Sequence, residues 1–149
     1  MDRLIKEALL PLALCFFSSL SLGQTSPAGV WNTFDEDSGQ AKSQVTIIEK
    51  NGVFTGIVTD FLRPNADRTR RCEKCTDDRK NEKILGMEII RNVKASQAAN
   101  QWGEGEILDP ENGKTYRVQL TLADDGQSLA VKGSLFIFSR TQTWTRAKP

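Results

Sequence analysis

Histidine is absent from all 149 residues, and that single absence removes much ordinary chemistry. No Ser-His-Asp or Cys-His mechanism runs without an imidazole, and the commonest transition-metal ligand is missing with it. A surplus of one charge is missing too. The 20 basic and 19 acidic side chains leave a net charge of +1, too weak a balance for an electrostatic grip on nucleic acid or anionic lipid. No glycine-rich phosphate cradle of the P-loop or dinucleotide type occurs. Outside the N-terminal segment no 3.6-residue apolar stripe is sustained, so the chain is not built from amphipathic helices.

The N-terminal segment has a form of its own. "MDRLIKEALLPLALCFFSSLSLGQTS" opens on charges (Asp2, Arg3, Lys6, Glu7), continues as an apolar run from Ala8 to Leu22 broken by Pro11 and serines, and leaves through small residues. That order is the anatomy of a secretory signal peptide, and the run is too short and lightly flanked for a membrane span. Residues 1–23 are therefore expected to be a cleaved leader, with Gln24 as the new terminus. Residues 24–149 would be one domain, with no stable membrane insertion and a periplasmic or extracellular destination. Cys15 leaves with the leader, so Cys72 and Cys75 are the remaining cysteines.

From Gly29 onward the pattern is of short runs with period-two alternation, separated by turn residues. In "KTYRVQLTL", Tyr116, Val118, Leu120 and Leu122 fall on one face while Thr115, Arg117, Gln119 and Thr121 fall on the other, as a strand with one buried face requires. "VTIIEKNGVFTGIVTD" reads as two strands joined at Asn51-Gly52, which supplies the positive φ of a tight hairpin. "DPENGKTY" and "ADDGQSL" are further turn signals. Strands are expected at about 30–34, 44–50, 53–60, 84–91, 101–109, 114–122, 128–135 and 140–146. Eight strands in a meander predict an all-β, antiparallel up-and-down barrel, because closure removes exposed edges. A sandwich is the structural alternative. One connection is far longer than a hairpin turn: "FLRPNADRTRRCEKCTDDRKNEK", at about 61–83, and loops of that size in compact domains are functional or disordered.

Cys72 and Cys75 sit in the middle of that loop, at a spacing shared by zinc sites, redox catalysts and disulfide staples. Zinc wants four Cys or His ligands, and here two cysteines have no histidine to complete them. Thioredoxin-type catalysis places the pair at a helix N-terminus, whereas this pair lies between strands. A local Cys72–Cys75 disulfide is expected, with a redox role the alternative, since Arg68, Arg70, Arg71 and Lys74 lie near enough in sequence to favour a thiolate. Carboxylate pairs occur as well. Glu104 and Glu106 are expected to share a strand face, and a glycosidase-like acid and base would need that; solvated outer-face charge explains them more simply.

"GVW" at Gly29 to Trp31 and "RTQTWTR" ending at Arg146 resemble the calycin barrels, among them lipocalins and fatty-acid-binding proteins. The resemblance implies that Arg146 packs over Trp31 at a closed end, where a guanidinium stacks on the indole and its N–H groups meet nearby carbonyls. More specifically, "GVWNTFDEDSGQAKSQVTIIEKNGVFTGIV", "ILGMEII", "WGEGEILDPENGKTYRVQLTL", "LAVKG" and "RTQTWTR" resemble the bacterial secreted proteins of the domain of unknown function 2147 family. This implies a lipocalin-like barrel and export, without an established activity or any cofactor. Members commonly carry extra glycine between the last two strands. Here the hairpin Leu135, Phe136, Ile137, Phe138 is apolar instead.

The expected function is non-catalytic binding of a small apolar or amphipathic ligand, with Phe54, Met87, Trp102, Tyr116 and Val118 as candidate cavity lining. The alternative is an envelope interaction module with a filled barrel, contacting a protein through the basic loop 61–83 or the apolar hairpin 135–138.

Overall fold

A computed structural model describes residues 25–149; the leader expected at 1–23 lies outside them. Eight strands follow one another: β1 (Gly29–Phe34), β2 (Ala41–Lys50), β3 (Val53–Phe61), β4 (Glu88–Ala95), β5 (Gln101–Asp109), β6 (Lys114–Leu122), β7 (Ser128–Leu135) and β8 (Phe138–Arg146). Each pairs antiparallel with the next, and β8 returns to β1 through Trp31↔Arg146 and Asn32↔Thr145, closing a barrel. The up-and-down barrel expected from the meander is the fold observed, and no helix occurs among the described residues.

The turns follow their residues. Asn51 and Gly52, at φ 53 and 77, make the two-residue β2–β3 hairpin, both positions needing the left-handed region. On β6, Val118, Leu120 and Leu122 are buried while Arg117 and Gln119 are exposed, so the alternation read from the sequence is the inside and outside of the wall. "GEGE" marks a bulge. Glu104 adopts φ 63 where the β5–β6 register shifts between Trp102 and Gly105. A Cβ on Gly105 would lie 2.3 Å from the Arg91 carbonyl oxygen; only glycine lets β4 and β5 approach this closely as the sheet curves.

One strand departs from expectation. Residues 84–91 were the expected fourth strand, but β4 starts at Glu88. Ile84 to Met87 form a turn, with Gly86 at φ 91 and Met87 N donating to Ile84 O at 3.1 Å. The apolar run misleads because Ile84 and Met87 are buried as anchors of the long loop rather than as strand residues. β2 and β8 also begin earlier than expected, at Ala41 and Phe138.

The barrel has two unlike ends. At one lie the short turns 51–52, 96–100 and 123–127, with residues 25–28. At the other lie the turns 35–40, 110–113 and 136–137 and the long connection 62–87. Trp31, Ile47, Ile90, Val93, Leu120 and Leu129 fill the interior and are almost wholly buried, each such side chain favouring the folded state by about 1.5–3 kcal/mol.

Candidate functional site

The closed end is sealed by residues far apart in sequence. The Arg146 guanidinium lies 4.2 Å from the Trp31 ring centroid. Its Nε donates to Gly126 O at 2.7 Å, and its Nη1 and Nη2 to Ala28 O and Ser26 O at 2.9 and 3.2 Å. Burial pushes this guanidinium below its ordinary pKa, though an arginine keeps its charge throughout any working range. Trp31 Nε1 donates to Pro27 O at 2.8 Å. Gly29 sits at φ 133, and a Cβ there would meet Arg146 Nη1 at 2.5 Å. Glycine, indole and guanidinium thus form one closure.

The other end is open. A cavity of about 970 Å³ opens there, bounded by strand interiors and by the mouth loops together. Strand interiors supply its apolar wall: Val45, Val58, Ile89, Ile107, Val131 and Trp144. Strand ends and mouth loops supply a polar rim that includes Asp35, Glu36, Lys42, Arg63, Arg70 and Arg140. Tyr116 lines it as well, and its hydroxyl accepts from Asn112 Nδ2 at 3.0 Å.

Ion pairs brace that rim. Arg63 of the long loop pairs with Asp35 of the β1–β2 turn, Arg140 of β8 reaches Glu36 at 2.9 Å, and Lys42 of β2 reaches Glu111 at 3.0 Å. Gln142 Nε2 also donates to Glu36, at 2.8 Å. The Asp35 carboxyl is lowered to about 2, because Ser38 N and Oγ donate to it and Arg63 adds charge. For Glu111, desolvation is the largest influence and pushes upward, but the bond and charge of Lys42, with Arg70 and Arg63, leave it lowered.

The connection 62–87 folds onto the mouth as a compact arm. Cys72 N donates to Glu82 O and Asn81 N to Cys72 O, both at 2.9 Å, and an Arg71↔Lys83 bridge extends this pairing. Cys72 and Cys75 are joined by a disulfide and fully buried. Beneath them lies the β5–β6 turn, with Cys72 Sγ 3.5 Å from Pro110 O. Arg79 is the buried anchor of the arm. Its Nε and Nη2, with its backbone N, donate to Asp77, its Nη1 donates to Glu88 O at 2.9 Å, and it lies 3.6 Å from Glu106. Arg79 holds the Asp77 carboxyl at about 2, and Arg91 lowers Asp78. Arg63, Arg68 and Arg79 of the arm are thus paired with Asp35, Asp60 and Asp77.

Of the candidate lining residues, Tyr116 borders the cavity. Phe54 and Trp102 are buried near the closed end, stacked edge to face with centroids 6.1 Å apart, and Val118 is buried in the wall. Met87 borders a shallower depression outside the barrel, shared with Arg71, Asp78 and Arg91. Neither Glu104 nor Glu106 reaches the cavity. Among the described residues, no group of three or more Cys, Asp or Glu side chains is arranged to hold a metal ion.

Eight antiparallel strands closed on themselves, capped at one end and hollow at the other, define a lipocalin-like barrel. Residues 29–146 match the family model described as "Uncharacterized protein conserved in bacteria (DUF2147)", and the chain belongs to that family. A solved structure of protein HP1028 from Helicobacter pylori, described as belonging to the lipocalin family, has the same fold, with a TM-score of 0.71 and 18% identity over 84% of this chain and 85% of that one. No curated protein sequence matches the chain.

Proposed function

We propose that the protein is exported, loses residues 1–23, and acts without catalysis as a carrier or receptor for one small apolar or amphipathic molecule. The observation that supports this is the cavity of about 970 Å³, which lies within the range of small-molecule sites. Its wall suits an apolar body, and its rim suits a polar end group kept near water. Of the carboxylates on its rim, Asp35, Glu36 and Glu111 are each engaged by a basic partner, Arg63, Arg140 and Lys42, which supports binding over reaction.

Native mass spectrometry of gently purified protein, with displacement of a fluorescent fatty acid, tests the reading. The expected results are a bound small molecule and saturable displacement. A ligand-free mass spectrum together with no probe binding would overturn it. N-terminal sequencing of the processed protein tests export: a start at or near Gln24 is expected, and an intact Met1 in the recovered protein would count against it.

A further inference from the structure

The β7–β8 hairpin ends in Leu135, Phe136, Ile137 and Phe138, and Phe136, Ile137 and Phe138 are 95%, 91% and 75% exposed. Nothing in the barrel covers them. Two-residue hairpin turns ordinarily use asparagine, aspartate or glycine, because their central residues take positive φ. Phe136 sits at φ 53, a conformation that disfavours bulky side chains. A strained phenylalanine at a fully exposed tip is hard to explain by folding alone.

We infer that this tip docks the protein on a lipid bilayer, dipping into the interfacial region as a shallow, reversible anchor. Size favours a bilayer over a protein partner. Three such side chains offer roughly 500 Å², short of the roughly 800 Å² per partner of a stable protein interface, whereas a deformable bilayer sets no minimum area. Charge agrees. The tip is flanked by Ser134 and Ser139, and the first charged residue, Arg140, already pairs with Glu36, so shallow entry desolvates no free ion. The backbone agrees as well. Leu135↔Phe138 and Ser134↔Ser139 are cross-strand partners, and two rungs span roughly 7 Å, comparable to the depth that interfacial segments reach. Phe138 also borders the cavity, so docking would set the mouth against the lipid. The docking itself requires no occupant in the cavity.

The test uses protein purified from cells expressing the full chain and vesicles of phosphatidylcholine, with and without phosphatidylglycerol. Trp31, Trp102 and Trp144 are buried, so a Phe136→Trp variant reports the tip. Its emission is expected to shift to the blue and to be quenched by brominated phosphatidylcholine, with little dependence on salt or phosphatidylglycerol. A Phe136→Asn/Ile137→Ser variant, whose asparagine suits the turn, is expected to partition about tenfold or more weakly while keeping the β circular dichroism signal. Unchanged F136W emission overturns the inference, as does binding that requires phosphatidylglycerol and vanishes in salt. Lipid-free self-association or protein capture that depends on the tip, with no quenching by lipid, would assign it to a protein surface instead.

Discussion

Arg146, on the last strand, stacks on Trp31, on the first, and the same guanidinium ties down the carbonyls of Ser26, Ala28 and Gly126. One side chain therefore holds the seam, residues 26–28 and the β6–β7 turn.

Arg146→Ala should be the most damaging substitution at the closed end. It removes the stack and leaves three carbonyls without their donor, at a cost of about 2–4 kcal/mol. Arg146→Lys should recover less than half, because an ammonium cannot present the planar fork. Urea unfolding followed by tryptophan fluorescence measures both, and a wild-type midpoint in R146A would refute the closure argument.

Replacing both Cys72 and Cys75 with serine should leave the barrel intact. A ring this small constrains the unfolded chain by about 2 kcal/mol or less, and the strands do not depend on it. The arm 62–87 should become more sensitive to limited proteolysis. Loss of the β circular dichroism signal at room temperature would show a larger structural role.

Arg79→Ala should loosen the arm more than the cysteine changes do. It removes the guanidinium donors from Asp77 and the Glu88 carbonyl, leaving Asp77 the backbone N–H of residue 79, and empties a buried site. Asp77 can rehydrate, so the expected loss is about 1–3 kcal/mol, seen as faster amide exchange across 72–88 with β6 and β7 unaffected. Uniformly faster exchange would mean the arm and barrel unfold as one.

Acid should act through the aspartates. The Asp35 and Asp77 carboxyls are lowered to about 2 from 3.8, and Asp60, Asp67 and Asp78 are lowered as well. Folded pKa values below unfolded ones mean that the unfolded chain takes up protons first as pH falls. Their stabilisation should be complete above about pH 5 and lost progressively between about pH 4 and 2. With no histidine side chain to titrate, stability should stay nearly flat from about pH 5 to 7. Melting temperature against pH tests this. D35N and D77N should each flatten the acid limb, and an acid limb unaltered in both would reject the assignment.

Filling the cavity should abolish binding without unfolding the barrel. Val131→Trp projects bulk among the apolar lining residues, and fluorescent fatty-acid affinity should fall tenfold or more. Unimpaired binding would place the site elsewhere.

The sequence carried the barrel more clearly than the site. Alternation along Tyr116–Leu122 and the Asn51-Gly52 turn are local signals, and local signals survive in one dimension. Position along the barrel axis does not. Phe54 and Tyr116 both read as inward aromatics, yet β3 begins at the closed end and β6 at the mouth, so Phe54 is buried core and Tyr116 borders the cavity. Val45, Val58 and Val131 line the cavity on the inward parity of their strands, but that parity is silent about depth. Arg79 was one basic residue among many in the loop; only the folded arm shows it as the buried one.

The closure also fixes how the molecule can be held. Residues 26–28 and 146–147 meet at the sealed base, with Ala147 N donating to Val30 O at 2.8 Å. A polypeptide entering at residue 26 or leaving at 147 attaches opposite the mouth, so a tag or surface coupled to either side would leave the cavity and apolar tip facing outward.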